Sequence, residues 1–221
     1  MVSRAMIRAM DLAKMIAPVY GTRETMMLLA DSIHGDVLDF GAGKGKQKQF
    51  ILKQTKAKSY TALDITPHEN IDIVGDVLDP PLDDESFDTI ISNQVIEHVR
   101  KPWMMVHHIA RILRPKGTVI ITAPFFVPYH AHPHDYFRFT EEGLKSLCED
   151  HGLTVSLCTK YGGFWSSVGE LVKQRCFSPY RNRSRFTRLL SSKTERIFRF
   201  LNYFCPPGIT YSSVVCVAHK L

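Results

Sequence analysis

The run Val37-Leu38-Asp39-Phe40-Gly41-Ala42-Gly43-Lys44-Gly45 constrains this chain more than any other stretch. A short apolar segment stops at three glycines in alternate positions, and the residues from Gly45 to Lys56 read as a helix. A buried strand therefore enters a helix through a tight turn. Gly41 and Gly43 permit that turn and let a ligand approach the backbone closely. The helix amino terminus adds N–H groups that have no partner inside the helix. The turn is not a phosphate loop, because Gly45 rather than Ser or Thr follows Lys44. Nor is it the dinucleotide pattern G-x-G-x-x-G, since its third glycine comes one residue early. Glycine spacing alone also describes an ordinary strand-to-helix turn.

The surroundings make a ligand-binding turn the better reading. From Asp36 onward, apolar runs alternate with helical segments. Strands are predicted at Val37–Phe40, Tyr60–Leu63, Ile71–Val74, Phe87–Ser92, Thr118–Thr122, Leu153–Leu157 and Tyr211–Ala218. Helices are predicted at Lys101–Leu113 and, capped by Thr140, at Glu141–Glu149. This alternation indicates an α/β fold with a largely parallel sheet, which binds ligands at the carboxyl ends of its strands. Asp64 ends the second strand, where an acid can accept both ribose hydroxyls, and Asp76 follows the third, with Val77 placed to lie beside a base. Residues 1–34 read as an amino-terminal helical cap: a rough apolar stripe, an interruption at Pro18–Gly21, then a helix over Arg23–Ile33 capped by Thr22, with Met26, Met27, Leu29 and Ala30 available for packing.

With these elements in place, the chain resembles the class I S-adenosylmethionine-dependent methyltransferases of the methyltransferase type 11 family. Leu38–Gly45 resembles the first motif of that family, Asp64 its ribose-binding acid and Asp76-Val77 its adenine-side motif. Phe87–Val99 resembles the segment after the fourth strand, and Leu113–Thr118 the turn before the fifth. The resemblance spans about residues 34–160. It implies a Rossmann-like sheet of seven strands in the order 3-2-1-4-5-7-6, the last antiparallel, with helices on both faces. The methyltransferase domain would then occupy residues 35–221. It also implies S-adenosyl-L-methionine as cofactor, held by Asp39, Gly41, Ala42, Gly43, Asp64, Ile65, Asp76, Val77, Asn93 and Gln94. Asp39 would orient the turn near the amino group, and Asn93 and Gln94 would bond or wall the methionine part. The implied function is methyl transfer by direct displacement to a small-molecule or glycan acceptor, at oxygen.

After the fifth strand, the loop Tyr129-His130-Ala131-His132-Pro133-His134-Asp135-Tyr136-Phe137-Arg138 carries three histidines at alternate positions. With Asp135 they invite a zinc or iron reading. Alternate residues of an extended loop diverge, however, and Pro133 limits folding back, so no metal is expected. His132 is the first candidate for a proton acceptor, with His130 and His98 behind it. Asp135 and Arg138 are expected to pair across the turn.

Between 162 and 207 the strand–helix pattern lapses into a basic, amphipathic insertion. Arg175, Arg181, Arg183, Arg185 and Arg188 precede a helix predicted over Glu195–Phe204, with Ile197, Phe198, Leu201 and Phe204 on one side. The expected arrangement has that side covering the sheet; peripheral contact with an anionic membrane is the alternative. The formal charge of +6 permits an anionic partner without requiring one. The segment Ser92–Val95 is not the N/D-P-P-Y/F tetrad of base amino-methylation. A nucleic-acid substrate is therefore disfavoured, with RNA ribose or phosphate methylation kept as the runner-up beside a non-enzymatic cofactor-binding subunit. Five cysteines without a C-x-x-C pair read as reduced thiols, and no signal peptide or membrane-spanning run is expected, which suits a cytoplasmic protein. The residues do not specify an oligomeric state.

Overall fold

A computed structural model of the chain describes residues 4–17, 21–131, 133–177, 193–194, 196–202 and 210–221. Seven strands form one sheet: β1 (His34–Phe40), β2 (Lys56–Asp64), β3 (Ile73–Val74), β4 (Phe87–Asn93), β5 (Leu113–Pro124), β6 (Leu153–Tyr161) and β7 (Ser213–Lys220). Their order is β3-β2-β1-β4-β5-β7-β6. The neighbours from β3 to β5 are parallel, and β7 runs antiparallel to both β5 and β6. This is the order and the single reversed strand that the resemblance implied. After β1 the chain builds outward through β2 and β3, then returns to lay β4 on the other side of β1. The carboxyl ends of β1 and β4 therefore flank the crevice where such sheets take ligands.

The sheet is buried on both faces, which explains why its strands read as continuous apolar runs. On β5, Val119, Ile121 and Ala123 face one core together with α4 (Pro102–Ile112) and α5 (Glu141–Glu149), while Ile120 faces the other. That second core holds Ile16 of α1 (Arg4–Ile16), Met26 of α2 (Thr22–Leu28) and Ile51 of α3 (Lys48–Gln54). Met26, Leu29 and Ile33 are fully buried there, whereas Met27 is exposed. In α4 the buried residues Met105, Val106, Ile109 and Ile112 fall on one helical stripe. Thr140 caps α5 as expected, its hydroxyl accepting from Gly143 N at 3.0 Å.

Several boundaries differ from the sequence expectation, each for a local reason. The helix expected from Gly45 starts at Lys48, because Gly45 adopts φ +62° and its N–H turns back to Ala42 O at 3.0 Å. The helix expected over Arg23–Ile33 ends at Leu28 and gives way to a 3-10 turn at Ala30–Ser32. Thr22 does not cap it. Gly21 holds the cap position, and the Thr22 hydroxyl pairs instead with Tyr161 Oη at 2.9 Å. Residues before Thr118 join β5, with a break in the β4–β5 register taking up Lys116 at φ +65°. There Arg114 bonds Asp36 at 2.9 Å and Asp88 at 2.8 Å, tying β1, β4 and β5 at the edge opposite the site.

Within the carboxyl-terminal insertion, α6 spans Phe164–Phe177 and leaves Arg175 exposed. Residues 193–194 and 196–202 are helical. Phe198 stacks on Trp165 with ring centres 6.1 Å apart, and Asn202 is buried. Ile197, expected on the packed side, is exposed; that side runs through Phe198, Leu201 and Asn202. Arg181, Arg183, Arg185, Arg188 and Phe204 lie outside the described residues. Among the described residues, no helix is long and apolar enough to cross a membrane.

Because Ile120 is fully buried at the centre of the sheet, Ile120→Ala should destabilise the protein by about 2–5 kcal/mol. Urea denaturation with an unchanged m-value would show this as a lower midpoint; a midpoint equal to wild type would contradict the packing.

Candidate active site

The glycine turn leaves the end of β1 and is stitched to the end of β2. Gly41 N and Ala42 N both donate to Leu63 O at 2.9 Å, and Gly43 N donates to Asp64 Oδ2 at 2.7 Å. The other carboxylate oxygen of Asp64 accepts from Thr66 N at 2.9 Å. All three glycines are left-handed, at φ +90°, +59° and +62°, which bulkier residues adopt only at a cost. Their roles differ. A Cβ on Gly41 would lie 2.6 Å from the Val95 side chain, and one on Gly45 would lie 2.6 Å from Asn70 O. A Cβ on Gly43 would meet nothing within 4 Å, so this is the glycine facing open space. Ile65, next to the Asp64 carboxylate, is 65% exposed and free of the core. Lys44 is exposed.

Beneath the turn sits Asp39, 1% exposed. Tyr60 donates its hydroxyl to Oδ2 at 2.5 Å, while Oδ1 is buried with no hydrogen-bond partner among the described residues. Burial pushes the Asp39 carboxyl up to about 6, against the opposing effect of the Tyr60 hydrogen bond, and the nearby Asp64 charge adds to the rise. A buried, half-satisfied carboxylate beside an open glycine turn suits a cationic ligand group. Together with the Asp64 carboxylate at the strand end, it fits the amino and ribose parts of S-adenosylmethionine.

The other residues expected at this ligand lie around the same edge. Asp76 is exposed, with Oδ1 accepting from Leu78 N at 2.9 Å, and Val77 packs on the core. Asn93 ends β4 and accepts from the Thr122 hydroxyl at 2.5 Å. Gln94 follows at φ +56°, a strained value for a non-glycine residue, held by its N–H to Thr122 O at 3.1 Å. An open cleft of about 650 Å³ between α2 and α3 reaches Asn93 and is walled in part by Met26, Met27, Gln47 and Phe50.

On the far side of Gly41, the chain continues from Val95 into a 3-10 turn, Ile96–His98, and the loop after β5 closes over it. Tyr136 N donates to Glu97 O at 2.7 Å. The Glu97 side chain is fully buried, and neither carboxylate oxygen has a hydrogen-bond partner among the described residues. His98 Nε2 lies 3.6 Å and His130 Nε2 3.7 Å from Glu97 Oε1. The two imidazoles meet edge to face, with centres 5.1 Å apart. The Glu97 carboxylate raises the His130 pKa above its ordinary value. His130 and His98 are therefore brought together, as two of the three candidates. His132 lies outside the described residues.

Asp135 does not join the histidines as a free carboxylate. Arg138 clamps it through two contacts of 2.5 and 2.7 Å, and His130 N donates to it at 2.9 Å. The expected Asp135–Arg138 pair is thus present, and it fixes the loop that carries His130. Sequence reasoning passed over Glu97, although its position immediately before His98 was visible. It also missed Tyr60, Thr122 and Tyr161, whose importance comes from strands that become neighbours only in the sheet.

Arg138 holds the Asp135 carboxyl at about 2, well below its ordinary 3.8. The charged form therefore stabilises the fold fully above about pH 4, and this contribution disappears as pH falls toward 2. Asp135→Asn should cost about 1.5–3 kcal/mol at pH 7. The gap from wild type should narrow between pH 4 and 2 in denaturation midpoints; a pH-independent gap would show that the pair is not its source.

Comparison with known proteins agrees with this geometry. Residues 38–121 match the family model described as a methyltransferase domain. A Mycobacterium tuberculosis (strain CDC 1551 / Oshkosh) protein named "Probable S-adenosylmethionine-dependent methyltransferase" is 28% identical over 143 residues, covering 58% of this chain and 52% of its own length. The chain thus spans about half the length of the curated relative. Among solved structures, the [4+2]-cyclase SpnF superposes with a TM-score of 0.61 at 12% identity, covering 88% of this chain and 79% of that one. Geranyl diphosphate C-methyltransferase from Streptomyces coelicolor A3(2) gives 0.58 at 12% identity, over 90% and 75%. At such identities these likenesses show the fold alone. The matched motifs, the strand order and the glycine turn with its two carboxylates agree: residues 38–121 match the methyltransferase domain model, and the sheet around them has the order that the resemblance implied.

Proposed function

We propose that this protein transfers a methyl group from S-adenosylmethionine, by direct displacement, to an oxygen of a small-molecule or glycan acceptor. The observation that carries this reading is the pairing of two different sites at one sheet edge. Asp39 and Asp64 frame a turn suited to a cationic nucleoside, and the Glu97–His98–His130 cluster lies just beyond Gly41 and Val95. Bound S-adenosylmethionine supplies an electrophilic methyl on a sulfonium, which becomes a neutral thioether when the carbon–sulfur bond breaks. Asp64 orients the ribose. Asp39 faces the cationic end, and Gly43 allows close approach. On the acceptor side, the imidazole and carboxylate cluster lies where it can ease deprotonation of the acceptor hydroxyl, so that the acceptor oxygen can form the new bond to carbon. Alignment carries most of the rate in such a displacement.

Asp39 also gives cofactor binding a pH dependence. The carboxyl is neutral below about pH 6 and charged above it. Affinity for S-adenosylmethionine should therefore rise between pH 5 and 7 in titration calorimetry, and Asp39→Asn should bind more weakly with a flatter profile. A rising profile retained in Asp39→Asn would assign the effect elsewhere.

Asp64→Ala should weaken binding on the order of ten- to hundredfold, the loss of hydrogen bonds to a charged group. Incubation of the protein and methyl-labelled cofactor with metabolite, glycan-lipid and RNA fractions should place the label in one of the first two. Label in RNA would replace the acceptor proposed here. No label in any fraction, with cofactor binding intact, would favour a non-enzymatic subunit.

A further inference from the structure

The Glu97–His98–His130 cluster is built like an ion site. Its three candidate ligand atoms all lie within 4.8 Å of one another. The spacing discriminates between two readings. A carboxylate that simply hydrogen-bonded two imidazoles would sit at about 2.7–2.9 Å from them. Here both Nε2–Oε1 separations exceed hydrogen-bond length, at 3.6 and 3.7 Å. Ligands at about 2.1 Å from a tetrahedral zinc-type ion are separated by roughly 3.4 Å. The two separations from Glu97 Oε1 are therefore close to the spacing of two ligands on one cation.

Both rings are also set in the tautomer that coordination needs. His98 Nδ1 lies 2.6 Å from His134 O, and His130 Nδ1 lies 3.0 Å from Pro128 O. A carbonyl oxygen only accepts, so each Nδ1 carries a proton, and each ring, when neutral, presents its lone pair at Nε2. An Nδ1–H donated to a backbone carbonyl is the support that metal-ligating histidines commonly have. The third ligand is independent of the histidines: Glu97 has a fully buried carboxylate whose two oxygens lack hydrogen-bond partners among the described residues. Burying an ionised carboxylate is costly unless a charge or hydrogen bonds compensate it. A divalent cation supplies that compensation.

We propose that Glu97, His98 and His130 bind one divalent transition-metal ion of the zinc, iron or cobalt class, and that this ion takes the acceptor oxygen. Imidazole and carboxylate suit these metals, and three protein ligands leave a position open. The role of the metal rests on the methyltransferase reading and deepens it. An acceptor hydroxyl on the open position becomes more acidic and loses its proton to water at the mouth of the site. The metal-held oxygen then forms a bond to the methyl carbon while the carbon–sulfur bond breaks, its electron pair staying on sulfur. The products are a methyl ether and S-adenosylhomocysteine. Such an ion would depart from the expectation of a metal-free loop. Its proposed ligands are His130 of the loop and the Glu97–His98 pair brought beneath it by the sheet, whereas Asp135 is held by Arg138.

The test is titration of the chelator-treated protein with Co²⁺, followed by visible absorbance, and with Zn²⁺, followed by calorimetry. One equivalent should bind, with the cobalt bands of a low-coordinate nitrogen–oxygen site. Glu97→Gln and His130→Ala should each weaken binding on the order of a hundredfold or more, while His107→Ala, altering a separate group of surface imidazoles, should leave it unchanged. S-adenosylhomocysteine binding monitors the fold of each variant, and the partly exposed His130 provides the test if Glu97→Gln does not fold. Wild type that binds S-adenosylhomocysteine but neither metal overturns the proposal, as does metal binding that both variants retain. Failure to bind S-adenosylmethionine would instead overturn the methyltransferase reading and leave the metal result standing. Methyl transfer should be lost on chelation and restored by the metal; full activity after exhaustive chelation would remove the metal from the reaction.

Discussion

Helices cover both faces of β1, β4 and β5, so the carboxyl edge of the sheet is where this fold can expose polar chemistry without opening its core. The constraint begins with burial. Ile90 faces the core beneath α4 while Ile91 faces the core beneath α1 to α3, and the same alternation runs along β5 and β7. Shifting any of these strands by one residue would exchange their faces. Register at the core therefore also sets the height at which Asp39, Asp64, Asn93 and Pro124 emerge. The crossover from β3 to β4 places two of those exits side by side across the crevice.

At that edge the two halves of the site are joined by close packing rather than by a shared side chain. Val95 fills the space where a Cβ on Gly41 would stand. Glu97 and His98 follow within three residues. A change on the turn thus presses directly on the segment that carries Glu97 and His98. The bond from Tyr136 N to Glu97 O and the Arg138 clamp on Asp135 both fasten the loop after β5. Both fastenings place His130 over Glu97. Low exposure strengthens each of these interactions, and it also makes the unpaired oxygens of Asp39 and Glu97 energetically conspicuous.

Much of this organisation is legible in the sequence. The glycine turn, the acids ending the second and third strands, the Thr140 cap and the Asp135–Arg138 pair are local patterns, with partners only a few residues away or at family spacing. Their geometry is imposed by backbone sterics and by short-range hydrogen bonding. Element boundaries were less legible. Gly45 delayed α3, and Tyr161 claimed the Thr22 hydroxyl, because distant or left-handed backbone partners outweighed helix propensity. The single-sided face expected for Glu195–Phe204 likewise gave way at Ile197, where contact with Trp165 turns Phe198 rather than Ile197 inward.

Sequence alone determined that the chain forms an α/β sheet with a glycine turn and acids at its strand ends, because period, glycine spacing and strand-end acids are properties of neighbouring residues. Tertiary structure decided which side chains meet. Tyr60 reaches Asp39 because β2 lies beside β1, and Thr122 joins Asn93 to Gln94 because β5 lies beside β4. His130 meets Glu97 and His98 across more than thirty residues of chain. In the sequence the three loop histidines stood out by their alternation. In the fold, His130 meets a buried carboxylate from a different strand end, since charge burial depends on what packs around a group and not on its neighbours in the chain.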